Sequence, residues 1–216
     1  MEQEIGLFEA IYTARAIRRF RPDPVPDELI EKAVEAGTMA PSATNAQPWA
    51  FVVVRESSTK RFIQERYAST FHAAYGQAKD RIQSAPSGSQ SRLMASAVHL
   101  ADHLHEVPVL LLCCVERYGP DSRGREGRPR YDSIFPAVQN ILLACRGLGL
   151  GACLTTLHTA HEREINQHLG IPEAYSSPAL IPIGFPADRH GPIRRRPASE
   201  LIHRERWRER WGAARS

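Results

Sequence analysis

Residues Ala40-Pro41-Ser42-Ala43-Thr44-Asn45-Ala46-Gln47-Pro48-Trp49 join an apolar-periodic helix to the strand-like run Ala50-Phe51-Val52-Val53-Val54. Helix-to-strand connections are usually only a few residues long. This one is longer, and its prolines 41 and 48 stiffen the backbone. Ser42, Asn45 and Gln47 offer donors and acceptors at near-alternate positions. A stiff polar wall of that kind suits the edge of a flat heteroaromatic ligand; an ordinary polar loop is the other reading. The flanking segments decide the fold class.

Upstream, Leu7, Phe8, Ile11, Tyr12 and Ala16 fall at helical spacing. They predict an amphipathic helix ending near Arg18-Arg19-Phe20-Arg21, because Pro22, Pro24 and Pro26 forbid continuation. Asp27-Glu28 opens a second helix, acidic in its first turn as the helix dipole prefers. Leu29, Ile30, Ala33, Val34 and Met39 form its inward stripe. Downstream, a strand over 50–55 precedes a helix from Ser57-Ser58-Thr59 to about residue 74, carrying Phe62, Ile63, Tyr67, Phe71 and Tyr75. A linking segment over 84–91 leads to a helix over roughly 91–105. The continuous apolar run 108–115 reads as a strand covered on both faces.

The polar, arginine-rich stretch 118–130 reads as a loop; alternatively Arg123, Arg125, Arg128 or Arg130 meets an anionic ligand such as a nicotinamide dinucleotide. Ile134, Ala137, Val138, Ile141, Leu142 and Cys145 make 133–147 apolar almost all round, the pattern of a buried helix or a subunit interface. Gly147-Leu148-Gly149-Leu150-Gly151 superficially resembles a dinucleotide fingerprint, but that motif runs strand, glycines, helix. Here the glycines close a helix and enter a strand over 152–156, so they read as a C-cap. A short helix over 162–169, a strand over 179–186 and a helical tail with Trp207 and Trp211 complete an α+β chain with a small central sheet.

Composition narrows the classes. The 216 residues suit one large domain, and 42% apolar content supports a real core. The formal charge is +4, and only three of the 28 basic residues are lysines. Arginine forks suit carboxylates and phosphates, yet without aromatic interleaving the surplus argues against a nucleic-acid binder. No apolar run approaches membrane-spanning length and no N-terminal run resembles a signal peptide. Cys113, Cys114, Cys145 and Cys153 lie in apolar stretches without a C-x-x-C pair, as expected of reduced thiols in a cytoplasmic protein. His99 and His103, four apart, with His105 and Glu106 invite a metal reading, but no second ligand element accompanies them and no metal is expected.

Three segments together resemble the FMN-dependent nitroreductase family: Arg15-Ala16-Ile17-Arg18-Arg19-Phe20, the 40–49 stretch with its strand, and 147–156 with downstream Arg194-Arg195-Arg196-Pro197. The likeness runs from Ala14 to about Trp207. It implies a nitroreductase-like α+β fold, with a central mixed or antiparallel sheet flanked by helices, in an intertwined homodimer with C-terminal arm exchange. Residues 1–197 then form the FMN-binding domain and 198–216 an arm packed on the partner subunit. By the resemblance, Arg15 and Arg18 reach the phosphate, ribityl chain or N1/O2 edge of FMN. Pro41, Ser42, Ala43, Asn45 and Gln47 line the flavin, some from the partner; Thr155, Thr156 and Leu157 lie near N5; Arg194 and Arg195 close on the phosphate. Where the family often has two adjacent arginines and a serine, this chain has Ala14, Arg15 and Ala16. One cation and one hydroxyl are missing, and Arg194–196 are the expected compensation.

The implied activity is hydride transfer from NADH or NADPH through flavin N5 to a nitroaromatic, quinone or activated-alkene acceptor by a ping-pong route. The flavin carries that chemistry, so no catalytic side chain is required. The alternatives are reductive dehalogenation or oxidation of a biosynthetic intermediate on the same fold, and a non-enzymatic flavin- or nucleic-acid-binding protein.

Overall fold

The apolar run expected over 108–115 forms strand β2, Val109–Glu116, and its alternating side chains set the layering. The computed structural model describes residues 5–83, 88–119, 127–209 and 211. β2 lies between β1 (Trp49–Val54) and β4 (Tyr175–Gly184), and β3 (Gly151–Ala152) borders β4, giving the order β1-β2-β4-β3. Every pairing among these strands is antiparallel.

Successive strand residues point to opposite faces. Val109, Leu111, Cys113 and Val115 therefore enter one core, under α2 (Asp27–Thr38) and α5 (Tyr131–Gly147). Leu110, Leu112 and Cys114 enter the other, under α3 (Ser57–Gln83) and α4 (Ser89–His103). Helices cover both faces of the sheet. All four cysteines are buried free thiols, and burial pushes Cys153 up to about 11 and Cys145 up to about 12.

β4 carries Pro178 in a central strand, normally a poor place for a residue with no N–H to donate. Ser177 and Pro178 face the single residue Cys114 at a register shift, so the proline sits in a bulge. The freed backbone is tied from below by α6 (Glu162–His168): Ser177 N–H donates to Glu162 Oε1 at 2.5 Å, and Ser176 Oγ–H donates to the same oxygen. The strand thus begins earlier than 179.

α5 ends as the glycines suggested. Gly149 sits at φ +73°, with its N–H on Arg146 O and the Leu150 N–H on Cys145 O, the two bonds of a Schellman cap.

Several expectations are corrected. Helix α1 is only Leu7–Thr13, because Thr13 Oγ1–H donates back to Glu9 O and the next residues pair with β3 instead. Its stripe does not enter this core: Phe8 is 67% exposed and Tyr12 63%. Met39 lies past the end of α2 and is exposed rather than inward. α3 continues beyond 74 to Gln83. The strand expected over 152–156 shrinks to β3 plus a lone bridge from Thr155 to Leu180. After a 3-10 turn at Ala198–Glu200, the described part of the tail is turns, not helix, and Trp207 is 79% exposed. In the expected 84–91 link, 84–87 lie outside the described residues, as do Arg123 and Arg125 of the 118–130 loop.

Ile141 is fully buried between the sheet and α2. Ile141→Ala is expected to remove about 2–5 kcal/mol, lowering Tm by roughly 5–15 °C for a chain of this size; differential scanning fluorimetry of the purified variant checks it.

Candidate functional site

The outer edge of β3 is closed by residues 14–21. Ile17 N–H donates to Ala152 O at 3.1 Å, Arg21 N–H to Phe185 O at 2.9 Å, and Ala187 N–H to Arg19 O at 3.0 Å. The approach is so close that a Cβ on Gly151 would lie 2.7 Å from Ile17 Cγ2. Buried Ile17 anchors the segment, and Arg15 and Arg18 leave it on either side of that anchor.

Arg18 lies near enough to Tyr67 and Cys153 for its charge to act on both. Its charge favours ionisation of the Tyr67 phenol and the Cys153 thiol, although burial dominates and raises both. Thr155 Oγ1–H donates to Tyr67 Oη at 2.9 Å. Tyr67 and Phe71 of α3 belong to the core, and Tyr75 is exposed. Of the 155–157 trio, Thr155 and Leu157 are half-buried and Thr156 is exposed.

Arg15 borders a cavity of about 210 Å³ whose lining includes Ala14, Ala16, Arg146, Leu150 and His190. Ile193 N–H donates to Tyr12 O at 3.1 Å, bringing the 190–195 segment back to the same place. Arg194 and Arg195 are exposed there, and the Arg195 side chain donates to Arg194 O. So residues 12–18, 153–157 and 190–195 converge on the β3 edge from three parts of the chain.

The 41–47 wall lies elsewhere. It feeds β1, the opposite edge of the sheet, with β2 and β4 between. Three strand spacings put the two edges about 14 Å apart. The wall is preshaped: Gln47 N–H donates to Ser42 Oγ at 3.0 Å, and Thr44, Asn45 and Gln47 sit at φ 54°, 55° and 49°. Asparagine tolerates that left-handed region; threonine and glutamine hold it only under constraint. Pro41, Ala43, Asn45 and Gln47 are exposed and Ser42 half-buried.

Among the described residues no carboxylate pairs with Arg15, Arg18, Arg194 or Arg195, whereas Arg55, Arg66, Arg130 and Arg146 each have one. The donor set fits an anion with several oxygens, as a phosphate monoester presents. The cavity alone is too small for a whole flavin nucleotide, since sites for such ligands run to about 300–1,000 Å³. Arg128 and Arg130 instead lie over Tyr118, and Arg130 also pairs with Glu116.

Sequence reading missed Arg146 and His190. Arg146 carried only the weak signal of a cation in a helix's last turn, and His190 none. His158 is fully buried, with Nε2–H donating to Ser177 O at 2.7 Å, and burial holds it below the usual imidazole value. His99 and His103 stack on one another, and among the described residues no three His, Cys, Asp or Glu are placed to hold a metal. No described helix is long and apolar enough to cross a membrane.

Comparison with known proteins agrees with the fold. The family model described as "Nitroreductase family" matches residues 11–185. A Thermus thermophilus protein named NADH dehydrogenase is 33% identical over 214 residues, covering 94% of this chain and 98% of that one. The crystal structure of a putative nitroreductase in complex with FMN from Desulfovibrio desulfuricans superposes with a TM-score of 0.64 at 25% identity, covering 95% and 99% of the two chains. Oxidized iodotyrosine deiodinase bound to FMN and 3-iodo-L-tyrosine gives a TM-score of 0.67 at 25% identity, covering 94% and 100%. By the extent of the family match and by its antiparallel sheet layered with helices, this chain belongs to the nitroreductase family.

Proposed function

We propose that the protein is an FMN-dependent NAD(P)H oxidoreductase acting on a nitroaromatic, quinone or activated alkene. The observation that carries this reading is the set of arginines at the β3 edge, Arg15, Arg18, Arg194 and Arg195, that have no carboxylate partner among the described residues. The chemistry that FMN supplies when bound is hydride acceptance at N5 from NADH or NADPH, and hydride donation to the acceptor.

The chain's own residues bind, orient and tune. Arg15, Arg194 and Arg195 hold the phosphate, where charge-assisted bonds are about twice as strong as neutral ones. Arg18 sits at the N1/O2 edge and opposes the negative charge that reduction brings there. Thr155, Thr156 and Leu157 line the ring near N5. Pro41, Ser42, Ala43, Asn45 and Gln47 come from the second copy of a homodimer, since in one copy they belong to the opposite sheet edge. The exposed apolar residues Leu7, Phe8, Ile11, Leu201, Ile202, Trp207 and Trp211 support such pairing. On this reading 198–216 is an arm laid on the partner. Reductive dehalogenation is the second reading, favoured by the structural likeness to an iodotyrosine deiodinase.

The purified protein is expected to be yellow, with an oxidised-flavin band near 450 nm that NADH or NADPH bleaches anaerobically and an acceptor restores. A colourless protein that takes up no added FMN refutes the reading. A flavin bleached by dithionite but by neither nicotinamide, and reoxidised by a halogenated phenol with halide release, selects the second.

Arg18→Gln is expected to shift the flavin midpoint potential negative by roughly 30–65 mV. That follows from losing about 1.5–3 kcal/mol of charge-assisted bonding to the reduced form, at about 30 mV per 1.4 kcal/mol for two electrons. Spectroelectrochemistry reads it, and an unchanged potential removes Arg18 from the N1/O2 edge.

The double variant Phe8→Asp with Ile11→Asp is expected to sediment as a monomer and to bind FMN at least about tenfold more weakly, because each copy loses its partner's wall. A variant that stays dimeric moves the interface away from α1.

A further inference from the structure

We propose that His190, together with Arg15 and Arg146, binds the phosphoryl group of the flavin nucleotide in the cavity left open by Ala14 and Ala16. The proposal rests on the FMN reading above and adds His190 and Arg146 to the phosphate-holding set of Arg15, Arg194 and Arg195. Arg194 and Arg195 are exposed, and the Arg195 side chain is turned to Arg194 O. The cavity of about 210 Å³ is lined by His190, Arg15 and Arg146 together with Ala14, Ala16 and the leucines 142, 150 and 154.

Both ring nitrogens of His190 are hidden from solvent and have no hydrogen-bond partner. The Leu150 backbone lies near enough to favour a protonated ring but outside hydrogen-bond geometry. Buried polar atoms of that kind ordinarily find partners, so a pair of orphaned nitrogens beside two guanidinium groups calls for an acceptor. Arg146 is already fixed in place: its Nε–H donates to Thr13 Oγ1 at 2.9 Å, and Glu9 lies 3.6 Å from its other end. Arg15 has no carboxylate partner among the described residues. Arg146 is thus committed to structure and Arg15 is open, while the His190 ring has to turn to present a nitrogen to the cavity.

Binding at such a group moves a proton. Without a ligand His190 is held below the usual imidazole value, by burial first, then by Arg146 and, more weakly, Arg15. The carboxylate in this neighbourhood is Glu9, engaged with Arg146, while Asp188 on the His190 loop acts on His99. A dianionic phosphoryl group reverses the local field and favours the doubly protonated ring, which donates from its nitrogens. His190 then takes up one proton from solvent as the phosphate binds. Affinity is greatest at low pH and falls as pH rises between the two values of His190, by up to one decade per pH unit. The ligand's own second ionisation, near pH 6, requires working above that value.

The test is titration of the apo protein with FMN and with riboflavin, followed by flavin fluorescence quenching from pH 6.5 to 8.5. Isothermal calorimetry at pH 7.5 in buffers of different ionisation enthalpy counts the protons. Wild type is expected to bind FMN about tenfold more weakly at pH 8.5 than at 6.5 and to take up a fraction of a proton approaching one. Riboflavin is expected to show neither effect. In His190→Gln the FMN slope is expected to flatten and the proton uptake to vanish. The same slope in His190→Gln, or the same proton uptake with riboflavin in the wild type, overturns the proposal. The riboflavin comparison needs no variant, so it holds if His190→Gln misfolds. Wild-type protein that binds neither flavin at any pH fails the FMN reading itself, an outcome distinct from tight FMN binding with no proton uptake.

Discussion

The main-chain bond from Ile17 N–H to Ala152 O fixes the outermost edge of the sheet, and much of the candidate site hangs from it. β3 is two residues long and would otherwise present bare carbonyls to water or to another chain. The 14–21 segment covers that edge, and it can lie so close only because Gly151 has no side chain to meet Ile17. The cations at 15 and 18 are therefore delivered by backbone held at both ends rather than by a free loop. A ligand meeting them finds donors already ordered, so little chain entropy is lost on binding.

The arginines divide into two populations with different work. Arg55, Arg66, Arg117 and Arg146 each meet a carboxylate on another element, at distances from 2.6 to 3.6 Å, and tie helices and strand ends to one another. Those at the β3 edge meet none among the described residues, and their mutual repulsion is tolerable because water and salt screen them. An anion placed between them turns that repulsion into attraction. The count of arginines in the sequence could not reveal this division, since a paired and an unpaired guanidinium are the same letter.

Where local pattern and tertiary demand agree, the sequence was legible. α2, β2 and α5 with its glycine cap announced themselves because each apolar residue serves both its own periodicity and the core. The failures share a cause. Residues 14–16 are good helix formers, but the chain leaves the helix after Thr13 so that Ile17 can bond to the open edge of β3, and propensity lost to that tertiary bond. The two tail tryptophans looked helical by spacing, yet a segment with no core beneath it in this chain settles into turns. The stiffness of the 41–47 loop was legible from its prolines and amides, whereas its place at the sheet edge opposite β3 was not. Arg146 and His190 were not, because their meeting with Arg15 is made by α5 ending and the post-β4 loop returning to one place, which no local period encodes.

The wall itself argues for a division of labour between copies. Thr44 and Gln47 sit in a backbone region that costs on the order of 1–3 kcal/mol for residues of their kind. Strain of that size persists only where something over-determines it; here the loop's prolines, the bonds from Gln47 N–H to Ser42 Oγ and from Asn45 N–H to Ser42 O, and the bond from Glu116 N–H to Pro48 O restrain it. Such a loop is rigid before it touches anything, yet it holds most of its side chains out to solvent at the edge farthest from the arginines. Apolar side chains on α1 and in the tail are likewise turned outward. A lone copy gains nothing from any of these surfaces. The proposed pairing of two copies, in which one wall meets the other's arginines, would account together for the strain, the exposed apolar groups and the arginines that have no carboxylate partner among the described residues.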